Sequence, residues 1–283
     1  LSAFKPEYER FCALTAQIMD KSQERKTAKE EKEAQQEKIE EVVDTCLKGI
    51  KSNASDYEKI RYVYEYIVNS VEYDSSAEHN QTIYSVFVDR RSVCAGYAKA
   101  TQYLLHRLDV FCTYVTGEII DSGDSHAWNL VCCDGDYYYV DTTWGDPVFR
   151  SSQEQEIQNI NYDYLCCNDE ELFRTHKLEG DIRLPACTEM KWNYYVVNHM
   201  YYTKVDAEQL LRAMNEDIRK KRSSTTFKFA DEDLYDAAHK LILEDLIKQA
   251  AKNLGERYGI WQVRYSYLDE KEKNKIIIYW DYE

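Results

Sequence analysis

Ser125-His126-Ala127-Trp128-Asn129-Leu130-Val131-Cys132-Cys133-Asp134-Gly135-Asp136-Tyr137-Tyr138-Tyr139-Val140-Asp141 reads as two strands joined by a two-residue turn. Asp-Gly between apolar, β-prone runs is the strongest short-range hairpin signal, because both central residues of the favoured turn need a positive φ. With that turn Cys133 faces Asp136, and the same register places Trp128 opposite Asp141. Residues opposite one another share a face of the sheet, as do residues two apart on one strand. His126 and Asp141 are therefore diagonal neighbours on one face, roughly 7–8 Å apart by backbone position and closer at their side-chain tips. A four-residue loop would keep this register, whereas a three-residue loop would send the two side chains to opposite faces.

Upstream, Arg91-Ser92-Val93-Cys94-Ala95-Gly96-Tyr97-Ala98-Lys99-Ala100 precedes apolar positions at helical spacing, namely Ala98, Thr101, Leu105 and Leu108. Cys94 then lies in the first turn of a helix, where unpaired backbone N–H groups and the macrodipole favour an anion and so a nucleophilic thiolate. Counting back from Leu108 also puts Cys94 on the buried stripe of that helix. A thiolate attacks a carbonyl, an imidazole exchanges the proton, and a carboxylate holds the imidazole's tautomer and stabilises its cation. Any one of Cys94, His126 and Asp141 alone would read as a structural residue. Together, on a helix, a strand and the adjacent strand, they read as a catalytic triad.

Val93-Cys94-Ala95-Gly96-Tyr97-Ala98, Ser125-His126-Ala127-Trp128-Asn129-Leu130-Val131 and Tyr139-Val140-Asp141-Thr142-Thr143-Trp144-Gly145-Asp146-Pro147 resemble the three motifs of the transglutaminase-like superfamily, in its bacterial branch. The resemblance implies a papain-like fold with a Cys-His-Asp triad. It extends upstream over Asp56–Val71, Tyr73-Asp74 and Ile83-Tyr84-Ser85-Val86-Phe87, and downstream over Asn161–Leu165, Thr175-His176 and Pro185–Thr188 with Tyr194-Tyr195. Animal members place a Trp upstream of the Cys as an oxyanion donor, whereas the first Trp in this chain is Trp128. The backbone N–H of Cys94 is a natural first donor. Gln81 and Tyr84, ahead of the helix, are the candidates for the second. Trp128 and Trp144 read as walls of a substrate cleft or as core, and His176 as a surface residue or one remote from the chemistry.

The totals bound the rest. The chain has 283 residues, 44% hydrophobic, enough for one large core or two modest ones. A net charge of -15 argues against nucleic acid and against anionic membrane surfaces, both of which attract Lys/Arg clusters. No stretch approaches the roughly 18 consecutive apolar residues of a membrane span. Twenty-five tyrosines supply either a core with polar rims or an exposed surface for peptides or sugars. Nine cysteines fit a nucleophile plus disulfides, and fit a reduced enzyme equally. Cys132-Cys133 and Cys166-Cys167 lack the C-x-x-C spacing of a zinc site, so no metal is expected, and the thiol mechanism needs no cofactor. The chain starts at Leu1 rather than Met, and the reading leans to an exported or cell-surface bacterial protein whose leader precedes Leu1, with a cytoplasmic one as the alternative.

Three regions follow. Residues 1–50 form a charge-dense helical arm, with apolar positions at Phe11, Leu14 and Ile18, a middle from Lys21 to Glu40 that is almost wholly Lys, Glu, Gln and Ala, and a restored face at Ile39, Val42, Val43, Cys46 and Ile50. Such a helix docks at its ends or serves a partner. Residues 51–190 form the catalytic core. An amphipathic helix from Asp56 leads it, Val110–Ile120 is a strand, Asp121–Asp124 a turn, and Arg150–Asn161 a polar surface loop or short helix. Residues 191–283 form a small α+β module: a strand near Met200–Thr203, a helix Asp206–Arg222, a strand Thr225–Phe229, a helix Asp231–Leu254, and strands Ile260–Leu268 and Lys275–Trp280. It carries no nucleophile–base pair, and His199 and His239 read as structural. The fold class is thus α+β with a papain-like, transglutaminase-like core. The expected activity is acyl transfer on an amide of a protein or peptide substrate, with hydrolysis favoured over transamidation. The competing reading is a non-catalytic peptide- or wall-binding module on the same fold.

Overall fold

The computed structural model describes residues 5–146, 160–181, 183–259, 261 and 264–282, with the side chains at 5–16, 18, 22, 257 and 258 outside that description. The chain forms two compact units. The first comprises residues up to Leu165 together with Leu172–Cys187, and the second comprises Cys166–Glu171 and Thr188–Glu283. Both mix helices and strands, as the α+β reading expects. No helix among the described residues is long and apolar enough to cross a membrane.

The first unit begins with helix α1 (Lys5–Leu47). Its polar middle is exposed at every described side chain from Gln23 to Lys38, and burial starts only at Ile39, Val43 and Cys46. Glu40 accepts from the Tyr103 hydroxyl at 2.6 Å and pairs with Arg107, which also reaches Asp44 at 2.9 Å. The first apolar face read in the arm, at Phe11, Leu14 and Ile18, lies outside the described side chains, as residues 150–159 of the expected polar loop and Pro147 lie outside the described chain. Helix α2 (Asp56–Ser70) starts at a capping box, in which Ser55 accepts from the Glu58 N–H while the Glu58 carboxylate accepts from the Ser55 N–H at 2.8 Å. Its buried stripe is Tyr57, Ile60, Val63, Tyr64, Ile67 and Val68.

Helix α3 (Cys94–Arg107) follows two short parallel strands, β1 (Glu72–Tyr73) and β2 (Arg91–Ser92). Strands β3 (Cys112–Ile119), β4 (Ser125–Cys133), β5 (Asp136–Val140) and β6 (His176–Leu178) are four of the five strands of its sheet, in the spatial order β5-β4-β3-β6. The β4–β5 ladder pairs Cys133 with Asp136 and runs to Asn129 opposite Val140, the register read from the sequence. Asp134 and Gly135 have φ of 52° and 93°, the positive pair that this two-residue turn requires. The turn before β4 is closed by the Gly123 N–H on the Ile119 carbonyl at 2.8 Å, with Asp121 and Asp124 exposed.

The second unit has its own core of Leu210, Met214, Ile218, Phe227, Phe229, Tyr235, Ile276 and Ile278 among others. Helix α4 (Ala207–Arg219) is capped by Asp206, and α5 (Glu232–Leu241) by Asp231. The latter runs on through a π-turn, Ile242–Leu246, into α6 (Ile247–Tyr258). This helix passes the expected end at Leu254. Gly255 leaves room for the Trp261 indole, and the stop is Gly259, in the left-handed region at φ 69°. Strands β7 (Tyr201–Tyr202), β8 (Ser224–Phe229), β9 (Arg264–Glu270) and β10 (Lys275–Asp281) form a sheet of order β9-β10-β8-β7. The described part of the strand read at Ile260–Leu268 starts at Arg264 and extends to Glu270.

Lys228 and Lys275 are buried in this unit, 5% and 2% exposed, an arrangement that requires partners. Lys228 pairs with Glu171 at 2.9 Å, Lys275 with Glu270 at 2.8 Å, and both ammonium groups lie over the Tyr195 ring.

Candidate active site

Cys94 is the first residue of α3, and no side chain caps that helix start. Its N–H therefore has no intrahelical acceptor, as is general for the first turn. The start is pinned from outside: the Val93 N–H donates to the Asn80 carbonyl at 3.0 Å, and the Ser92 hydroxyl donates to the same oxygen at 2.5 Å. Gly96 makes this possible, since a Cβ there would collide with the Ser92 hydroxyl. Arg91 holds Asp74 at 2.5 Å on the neighbouring strand end. The thiol is half-buried rather than on the buried stripe, which begins two residues later at Gly96. A first-turn residue has no preceding turn to cover it, so helical phase alone overestimates its burial.

His126 and Asp141 meet as the hairpin register requires, with Nε2 to Oδ2 at 2.7 Å and both residues buried. Asp141 is also the N-cap of the short helix Thr142–Gly145, and its Oδ1 accepts from the N–H groups of Thr143 at 2.9 Å and Trp144 at 3.1 Å. One oxygen thus fixes the carboxylate, and the other is free to orient an imidazole. An ionised carboxylate only accepts, so His126 Nε2 carries hydrogen and Nδ1 is the nitrogen left for the Cys94 thiol. Burial alone would push the His126 imidazole down. The Asp141 charge and hydrogen bond outweigh it, a hydrogen bond with Cys94 adds to them, and the group is held up at about 9. Burial likewise works to raise Asp141, and His126 and His176 override it to hold the carboxyl below the usual range.

His176 is the residue that sequence reasoning placed wrongly. It is 1% exposed, and its Nε2 stands 3.1 Å from the same Asp141 Oδ2 that His126 uses. It arrives there because β6 pairs with β3, His176 opposite Ile119. Only that long-range pairing decides which way its side chain points, and no local pattern in a three-residue strand encodes it. Trp128 is wholly buried and stacks on His126 with ring centroids 6.0 Å apart, so it backs the imidazole as core. Trp144 is half-buried and lies 6.2 Å from His126 and 4.9 Å from His176. Asn129 points away from His126 and donates to the Ala98 carbonyl at 3.0 Å, tying α3 to the sheet.

Gln81 is exposed and its carbonyl accepts from Lys99 Nζ at 2.9 Å, while Tyr84 is half-buried just ahead of a π-turn, Ser85–Asp89. Two half-buried tyrosines given no role at the site by the sequence lie within electrostatic reach of the thiol. Burial and then the Cys94 charge push up the hydroxyls of Tyr73 and Tyr114. His126, Asp141 and His176 offer three ligand atoms within 4.8 Å of one another, enough to consider a cation. Their 2.7 and 3.1 Å contacts are direct hydrogen bonds, closer than the roughly 3.3 Å between ligands at tetrahedral corners with 2.0 Å bonds. The set as it stands is a hydrogen-bonded network.

Residues 40–142 match the Transglutaminase-like superfamily model. This segment is a transglutaminase-like domain. Kyphoscoliosis peptidase of Homo sapiens is 27% identical over 137 residues, 43% of this chain and 20% of its own length. Kyphoscoliosis peptidase of Mus musculus is 28% identical over 106 residues, 32% of this chain and 16% of its own. The matches thus span a fifth or less of these curated relatives. Among solved structures, a candidate cysteine protease of Cytophaga hutchinsonii shares 25% identity over 37% of each chain at a TM-score of 0.33. A TGase shares 19% identity over 44% of this chain and 36% of its own, also at 0.33. Cys94, His126 and Asp141 all fall inside the transglutaminase-like domain, and His176 falls beyond its matched end.

Proposed function

We propose that the transglutaminase-like domain performs thiol-dependent acyl transfer on a peptide amide, with hydrolysis as the main outcome. The observation that carries this reading is the alignment of Cys94, His126 and Asp141, in which one imidazole nitrogen is fixed by the 2.7 Å bond to Asp141 and the other is left for the thiol. In the first half-reaction the Cys94 sulfur, as thiolate, attacks the carbonyl carbon. The Cys94 N–H is the first donor to the oxyanion, and Gln81 and Tyr84 are candidates for the second, joined by Tyr73 and Tyr114. Collapse breaks the C–N bond as His126 gives its Nδ1 proton to the departing amine. In the second half-reaction His126 takes a proton from water, hydroxide adds to the thioester, and the acid leaves as the thiolate is restored. An amine in place of water would give transamidation. Hydrolysis is favoured because the two curated relatives are peptidases by name.

The test is selective alkylation. With limiting iodoacetamide near pH 6 and mass-spectrometric mapping, Cys94 should be modified well ahead of Cys46 and Cys112. Burial pushes Cys46 up to about 11 and Cys112 higher still, which keeps both as thiols. The His126→Ala variant should lose the selectivity. Equal labelling of all three would remove the main support for a nucleophile at Cys94. Incubation with Gln-containing peptides and a labelled primary amine then separates the outcomes, since amine incorporation without cleavage would reverse the preference for hydrolysis.

A further inference from the structure

We propose that His176 is a positioning residue of this site, which shares the Asp141 carboxylate with His126 and thereby sets how that carboxylate holds the His126 ring. The inference rests on the acyl-transfer reading above. Two imidazole Nε2 atoms converge on the single oxygen Oδ2, at 2.7 Å from His126 and 3.1 Å from His176. Each must bring a hydrogen, so His176 carries one on Nε2, and in its neutral form Nδ1 accepts. Thr175 Oγ1 stands 2.7 Å from His176 Nδ1 and can donate there, with the Leu172 carbonyl at 3.3 Å as its longer alternative acceptor, and the Tyr164 hydroxyl stands 3.3 Å from Thr175 Oγ1. A hydrogen-bonded line therefore runs Tyr164, Thr175, His176, Asp141, His126, ending at Cys94.

Packing fixes the second imidazole as firmly as the first. Its ring centroid lies 5.1 Å from Trp128, 4.9 Å from Trp144, 5.6 Å from Tyr164 and 5.2 Å from His126. Among the described residues, the ionisable groups shown against it are Asp141, His126 and Tyr164, with Cys94 beyond His126, while Lys177 and Glu118 on the neighbouring strand positions are exposed. An oxygen with two donors gives each a weaker hydrogen bond than an oxygen with one. Removing His176 should thus tighten Asp141 on His126, keep the imidazolium charged to higher pH, and loosen the carboxylate's orientation.

The experiment uses the full chain and needs no substrate. The rate of Cys94 alkylation is followed from pH 4 to 11 in the unaltered protein, in His176→Leu and in His176→Gln, whose amide N–H can stand in for Nε2–H. The alkaline limb that reports the His126 imidazolium should move up by about one pH unit in His176→Leu. It should return toward the unaltered position in His176→Gln. Superimposable profiles in all three would overturn the positioning role. Slow, unselective Cys94 labelling in the unaltered protein would instead overturn the acyl-transfer reading, so the two failures are distinguishable. Should His176→Leu not fold, the tautomer of His176 in the unaltered protein decides, by long-range proton–nitrogen NMR: hydrogen on Nε2 supports the proposal, and hydrogen on Nδ1 alone overturns it.

Discussion

Charge at His126 ties the stability of the fold to pH. The imidazole's ordinary value is 6.5 and the folded protein holds it at about 9. A raised folded value means that the charged ring stabilises the fold fully below pH 6.5, and that this contribution is lost as pH rises through 9. Its size is on the order of 3 kcal/mol. That amount is counted once, because the depression of Asp141 is the same attraction seen from the carboxylate. The Asp141 contribution has the opposite sense, present above its ordinary 3.8 and lost as pH falls. Melting temperature should therefore hold a plateau between about pH 4 and 6.5 and then decline toward pH 10. In His126→Gln the alkaline decline should be shallower, and an unchanged slope in calorimetry would refute the assignment of this titration to His126.

Among the elements, the β3–β4 ladder bears directly on the site. Gly117 on β3 is the partner of His126 on β4, and a Cβ at that position would press on the Trp128 indole and the Lys177 carbonyl. Neither neighbour can retreat, since Trp128 is 0% exposed and the other atom is backbone. Gly117→Ala should cost about 1–3 kcal/mol in urea unfolding and slow Cys94 labelling by displacing the wall behind the imidazole. The same change at the exposed Gly123 would test only its positive φ, so it should leave labelling untouched. This part of the molecule also marks where sequence reasoning ends. The β4–β5 hairpin was legible because alternation and the Asp134-Gly135 turn are local signals that fix register together. Cys94 was legible as a helix start, though its half-exposure was not, because the cover over a first turn comes from other segments. His176 was hidden because its orientation depends on pairing with Ile119, far away in the chain.

At the scale of the whole molecule, the second unit owes part of its order to a charged interior. Glu171 accepts from Lys228 and from Asn193 Nδ2 at 2.8 Å, and its side chain is 11% exposed. Lys228→Met would leave a carboxylate desolvated and short of its main counter-charge, at a cost of about 3 kcal/mol or more. The double variant Lys228→Met, Glu171→Gln should recover part of that loss in urea unfolding monitored by circular dichroism. A single variant as stable as the unaltered protein would show that this ion pair is not what holds Glu171 in place.

Glu171 belongs to the stretch Cys166–Glu171, which sits in the second unit although chain on both sides of it, up to Leu165 and from Leu172 to Cys187, sits in the first. Synthesis proceeds from the N-terminus at about 5–20 residues per second, so this stretch is made several seconds before Lys228 exists to receive it. His126 and Asp141 also precede His176 in the order of synthesis. Until the strand that contains Lys228 is made, Glu171 lacks the lysine that it pairs with in the folded protein.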